Sequence, residues 1–217
     1  MHFARFARFL DPFEGVLPPV TAPLAKDRFH RAPIKARDDL TDWESYICWF
    51  NRVGKCCDFA NCWHMSEYES DPMWRLYAGE GVAVRSTYDR LCASNAHDPT
   101  PVHVGEVNYI DFRTEQPPTY GSTLAGAFLK RREYQDEREL RAVVVKIPPE
   151  WGGDGPCPDT HPTFTKIAVD LNTLVERAYI APGRAEAFTD EVRAAMERFG
   201  LDKPVEASAL DDRPFWL

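Results

Sequence analysis

The chain lacks any apolar run approaching the ~20 residues that a bilayer-spanning helix needs, so no membrane role is expected. It has no G-x-G-x-x-G or Walker phosphate loop, which disfavours a doubly wound nucleotide fold, and no G-x-S-x-G elbow, which removes the main support for a serine hydrolase. Positive charge is in deficit: 26 Lys plus Arg face 34 Asp plus Glu, for a net charge of -8. Long-range steering toward nucleic acid or an anionic surface is therefore unfavourable, and only a local basic groove could serve that purpose. The 18 prolines and 12 glycines are spread along the chain, with no low-complexity block and no internal repeat. Met1 to Leu10 carries Arg5 and Arg8 among aromatics but no secretory h-region, so a cytoplasmic protein is expected. The six cysteines include the adjacent Cys56 and Cys57, and are expected to be reduced thiols rather than a disulfide framework.

What is present suits one compact unit, since 217 residues can bury a single sizeable core. His2 to Leu10 reads as an edge strand, and Asp11-Pro12-Phe13-Glu14-Gly15 as a turn. From Asp38 or Thr41 the apolar residues Leu40, Trp43, Tyr46, Ile47 and Phe50 recur at steps of three and four, predicting an amphipathic helix to about Arg52. Buried strands are predicted at Cys56 to His64 and Gly81 to Ser86, and further strands at Val102 to Ile110, Leu140 to Ile147, the most apolar, and Val175 to Ala181. Helices are predicted after a Ser70 cap with Pro72 in the first turn, at Thr87 to Ala93, at Thr123 to Leu129, as a capped turn at Asp170 to Leu174, and from Ala185 to Phe199 ended by Gly200. The loop Trp151 to Pro162, dense in Gly and Pro, reads as a flap or an insertion. The expected fold is α+β: a single domain with a mixed, mainly antiparallel sheet flanked by helices.

Two stretches carry the types of residue that chemistry uses. Cys62-Trp63-His64 leads toward Glu67, Tyr68, Glu69, Ser70, Met73, Trp74 and Tyr77, placing aromatics and a titratable imidazole around one strand-to-helix turn suited to a flat ligand. The competing reading is that Trp63, Trp74 and Tyr77 are core. Cys56, Cys57, Cys62 and His64 lack the paired spacing of a structural zinc site, so no metal is expected. The second stretch, Lys130 to Arg141, ends on a strand where Glu137, Glu139 and Arg141 share a face. An arginine there can keep one carboxylate ionised while its neighbour is raised in pKa, which suits acid, base or oxocarbenium-stabilising work. The competing reading is a solvated, self-neutralising charge run.

At these motifs the chain resembles an uncharacterised bacterial family, domain of unknown function twenty-nine seventy-one. The likeness rests on Asp11 to Gly15, Cys62 to His64, Glu69-Ser70, Met73-Trp74 with Tyr77, Gly81 to Val84, Ser86-Thr87, Lys130-Arg131, and Glu137 with Glu139 and Arg141. It continues through Tyr179 to Pro182 and Lys203-Pro204-Val205 with Ser208 and Leu210. The family carries a further strand and helix ahead of this point, so the resemblance implies that this piece, with any catalytic group on it, is missing here. The family's motif order is similar to that of ADP-ribosyltransferases, in which an aromatic stacks on nicotinamide and a later Glu-x-Glu strand faces the ribose. That similarity implies NAD as a substrate, Glu139 or Glu137 as the stabilising carboxylate with His64 nearby, Trp63, Trp74 and Tyr77 as the stacking surface, and Lys130, Arg132 or Arg141 as partners of the pyrophosphate.

The second hypothesis is a non-catalytic module that recognises nucleic acid or a partner protein in a stress or phage-defence setting, based on Lys130, Arg131 and Arg132. A Cys62–His64 nucleophile is disfavoured, because residues two apart on one strand do not adopt triad geometry. All the chemical readings require the aromatic and the acidic-basic stretches to meet.

Overall fold

A computed structural model describes residues 1–21, 43–95, 98–118, 124–149, 151, 156–184 and 186–214. The fold is α+β, and the chain divides into two compact units. Met1–Met65 with Thr100–Ile167 forms the first, and Ser66–Pro99 with Ala168–Leu217 the second. No helix among the described residues is long and apolar enough to cross a membrane.

The first unit is built on a five-stranded antiparallel sheet of β1 (His2–Arg5), β2 (Asp58–His64), β4 (His103–Glu106), β7 (Glu139–Val145) and β8 (Phe164–Lys166), in the order β4-β7-β2-β1-β8. Side chains alternate across a strand, so each strand supplies two different surfaces. On one face Phe59, Ala142 and Val144 pack with Phe3 and Ile167. On the other, Ala60 and Val143 pack with Phe6 and Ala127. Further along that second face the register sets Cys62 opposite Arg141 and His64 opposite Glu139. The sheet thus passes from an apolar end to a charged one within β7.

Helix α1 (Trp43–Cys57) packs Phe50 against Leu17, Ile110, Phe112, Ala125 and Leu129. It runs past the expected end at Arg52, because Gly54 is not a break: its missing Cβ would lie 2.4 Å from the Gly15 carbonyl oxygen, so glycine here permits close packing. Leu40 and the expected start at Asp38 or Thr41 lie outside the described residues. β1 is shorter than expected, passing into a 3-10 turn at Phe6–Arg8, and it is an inner strand, since β8 pairs with its other edge. The expected strand Val102 to Ile110 divides into β4 and β5 (Asn108–Ile110), and β5 runs parallel to β6 (Leu129–Arg131).

The six cysteines are not all thiols: Cys56, in the last turn of α1, is bonded to Cys157 of the expected flap, 101 residues away. Adjacency of Cys56 and Cys57 concealed this pairing, which tertiary proximity creates, with a Cα–Cα distance of 5.5 Å.

In the second unit β9 (Arg177–Ile180) lies between β10 (Val205–Ala207), parallel to it, and β3 (Val82–Arg85), antiparallel. β3 was expected to be buried, yet Val82 and Val84 are 36% and 43% exposed, because the strand is at the end of this sheet. Here α2 (Asp71–Met73) continues as a π-turn over Trp74–Ala78, and Ser70 makes no side-chain cap. The remaining helices are α3 (Tyr88–Ser94), capped by Thr87, α4 (Leu171–Leu174), capped by Asp170, and α5 (Glu186–Arg198), followed by Gly200 at a φ of 69°.

Candidate functional site

The charged end of the β2–β7 face carries two cations inside the protein. β6 delivers Lys130 and β7 delivers Arg141, which is fully buried. An unpaired buried charge costs several kcal/mol, so each must find carboxylates. Lys130 Nζ meets Glu14 Oε1 at 3.2 Å, Glu139 Oε1 at 3.0 Å and Glu137 Oε2, three partners for its three protons. Arg141 Nε donates to Glu139 Oε2 at 2.7 Å, Nη1 to the Ala127 carbonyl at 2.8 Å and Nη2 to Glu14 Oε2 at 2.6 Å. The Arg141 guanidinium also lies over the Phe6 ring, 5.4 Å from its centroid.

Glu137 reaches this cluster by a route an extended strand could not provide. The chain forms a 3-10 turn over Arg132–Glu137, and Arg138 then takes a left-handed conformation (φ 41°, ψ 58°) before β7 begins. Both carboxylates therefore converge on Lys130 from either side of one reversed residue. The turn is secured by His64, whose Nδ1 lies 2.7 Å from the Glu137 carbonyl. A carbonyl only accepts, so that nitrogen carries the proton. The Glu139 amide donates to the Tyr109 hydroxyl at 2.8 Å.

The cluster sets three carboxylates, Glu14, Glu137 and Glu139, against two cations. One negative charge is left over. Burial raises the Glu137 carboxyl above its ordinary value against the pull of Lys130, and a hydrogen bond with Glu139 raises it further. Glu139 moves the other way: burial opposes ionisation, but Arg141, Lys130 and the bond from Glu137 hold it below its ordinary value. The two carboxyl groups of the pair are thus displaced in opposite directions. Cys62, paired in register with Arg141, is exposed.

Of the residues singled out in the sequence, His64, Glu137, Glu139, Lys130 and Arg141 come together. Lys130 and Arg141 were expected to meet a pyrophosphate, but carboxylates occupy their donors and protein covers them. Arg132 is half-exposed and paired with Glu115. Trp63 points to the opposite face, where its Nε1 donates to Asn61 Oδ1 at 2.6 Å. Trp74 and Tyr77 belong to the second unit. There Trp74 is buried with its Nε1 bonded to Glu69 at 2.9 Å, so its ring is core; Tyr77 is 63% exposed. Glu69 also accepts from Ser208 Oγ and from the Ala209 amide, tying the C-terminal segment of that unit in place.

Sequence reasoning missed Glu14, which it treated as part of a turn. A signal existed: two cations entering apolar strands require buried counter-ions, and Glu14 sits in a motif of turn and aromatic residues. Asp11, in the same motif, is buried and binds Arg131 Nε at 3.0 Å.

No family model matches the chain, and no curated protein or solved structure matches it. Function must therefore be read from the site's own geometry.

Proposed function

We propose that Glu137 and Glu139 form an acid–base centre that cleaves a glycosidic bond, with NAD as the substrate to assay first. The observation that carries this reading is the convergence of two carboxyl groups on Lys130, with their titrations displaced in opposite directions. Such pairs divide acid and base roles between chemically identical groups. Glu137, the less buried of the two, faces the oxocarbenium-like carbon that forms as the C–N bond breaks, and the fixed charge of Glu139, held by Lys130 and Arg141, lies behind it. Nicotinamide leaves as a neutral molecule, and the incoming hydroxyl or water passes its proton to the carboxylate pair. Glu14, Lys130 and Arg141 hold the pair in place rather than binding substrate. This reading keeps the Glu-x-Glu strand of the resemblance to ADP-ribosyltransferases but not its stacking aromatics, since Trp63 points to the other face of the sheet and Trp74 is core.

The test is to incubate the protein with NAD and follow nicotinamide. Release is expected from the wild type and a loss of about 100-fold or more from Glu139→Gln, the usual scale for removing a positioned acid–base group. No release above the buffer blank, or an unchanged rate in Glu139→Gln with the fold intact by circular dichroism, defeats the reading. For recognition of nucleic acid, the second reading, Arg131 and Arg132 keep exposed surface but are each paired with a carboxylate, and Lys130 is buried.

A further inference from the structure

A second reactive group lies in the first unit, outside the carboxylate cluster. Cys56 is 1% exposed, whereas Cys157 is half-buried, so a reagent from solvent reaches the disulfide at Cys157. Arg5, at the end of β1, places Nη1 3.3 Å from Cys157 Sγ and 3.1 Å from the His161 carbonyl. A disulfide sulfur is a weak acceptor and gives this guanidinium little in return. Among the described residues Arg5 Nε is also buried with no hydrogen-bond partner, and so is His161 Nε2. Both unsatisfied donors or acceptors cost free energy in the oxidised protein. A thiolate at Cys157 would give Arg5 the anionic partner it lacks.

We infer that Cys56–Cys157 is a reversible thiol–disulfide exchange site for a dithiol reductant, with Arg5 stabilising the Cys157 thiolate of the reduced form. One thiolate of the dithiol attacks Cys157 Sγ, the Cys56–Cys157 bond breaks, and Cys56 leaves with the electron pair and takes up a proton. The second thiolate of the dithiol then attacks its own mixed-disulfide sulfur, closing the oxidised reagent and releasing Cys157 as a thiolate beside Arg5. Two electrons pass from the dithiol to the protein. Stabilising the reduced form in this way makes a disulfide easier to reduce. Cys57 does not divert the reaction: it is fully buried, and burial with Asp58 pushes its thiol up to about 12, so it supplies no thiolate to reshuffle the pair. Reduction removes the covalent tie between the Cys157 to Thr163 segment and α1, while the Arg5 amide keeps its 3.0 Å bond to the Thr163 carbonyl.

The experiment is a redox titration of the full chain with reduced and oxidised dithiothreitol, scored by alkylation of Cys56 and Cys157 in a mass spectrum. Arg5→Gln is expected to need at least tenfold more reduced reagent for half-reduction, and Arg5→Lys, which keeps the charge, to lie between it and the wild type. In reduced wild type, iodoacetamide should modify Cys157 at neutral pH faster than an ordinary thiol, and Arg5→Gln should abolish that advantage. Equal titrations for wild type and Arg5→Gln, an ordinary thiol pH profile at Cys157, or a wild type reduced only on unfolding would each overturn the inference. Should Arg5→Gln fail to fold, the wild-type pH profile and the Arg5→Lys titration decide the matter.

Discussion

Glu137 and Glu139 differ by one intervening residue and a few donors, yet these differences send their titrations in opposite directions. The consequence is a pH signature for any activity of the pair. Glu139 is held ionised, so its charge persists as pH falls below the ordinary carboxylate range, whereas Glu137 loses its proton later than an ordinary carboxyl as pH rises. Because the pair accepts the proton of the attacking water, activity should rise as Glu137 ionises, at higher pH than an ordinary carboxyl would, and Glu137→Gln, which cannot titrate, should remove that rise in a pH profile of kcat/KM. Arg138 allows a second test. Its side chain is exposed, so substitutions there report on its left-handed backbone alone. Arg138→Val should destabilise the protein by about 1–2 kcal/mol, the cost of a β-branched residue at positive φ, while Arg138→Gly should lie within about 1 kcal/mol of wild type. Urea denaturation midpoints measure both. The sequence disclosed that Glu137, Glu139 and Arg141 belong together, because a period of two aligns them. It hid Arg138, since nothing in an arginine marks a reversed backbone.

Elements meet closely where glycine allows it. The turn bearing Glu14 is gripped at Gly15, whose φ is +75°, by Gly54 of α1 and by Gly126 of the 3-10 turn before β6. A Cβ on Gly126 would lie 3.0 Å from Gly15 backbone atoms. The Glu14 carboxylate is thus positioned by backbone contact. Gly54→Ala is expected to cost about 3 kcal/mol, at the upper end for an overpacked site, because its new methyl would meet carbonyl oxygen rather than a side chain that can swing away. A thermal melt reads the cost, and Gly79→Ala, at a φ of -39° and with nothing nearer its Cβ than 4.0 Å, controls for loss of glycine flexibility alone. The sequence made Gly54 look like a helix end, because propensity counts a glycine as a break and cannot know which backbone approaches it. Helix α5 and its Gly200 stop were legible for the opposite reason, as local periodicity and a local cap suffice there.

Across the whole chain, stability should depend on pH through Asp58. This buried side chain opens β2, and desolvation pushes its carboxyl up to about 8, against an ordinary value of 3.8. Between those limits the folded protein holds a proton that the unfolded chain has released, so stability falls as pH rises from about 4 to about 8. Urea unfolding should show a loss of at least about 2 kcal/mol from this group between pH 5 and pH 8. Asp58→Asn should flatten that slope. The α+β class and most strands could be read from composition and alternation. The Cys56–Cys157 bond could not, as it joins positions distant in sequence, and the division of Trp74 and Tyr77 from the acidic pair also depends on contacts that sequence spacing does not encode.

The β2–β7 pairing also protects itself against error. Were β7 to slide by a single position, Arg141 and Glu139 would be thrust among Phe3, Phe59 and Ile167, and Ala142 would be left facing Glu14 and Lys130. The misaligned sheet would drown an ionised guanidinium in hydrocarbon and strand two partners of opposite sign. The charges therefore act as a key that admits one alignment of these strands, whether or not any substrate ever reaches them.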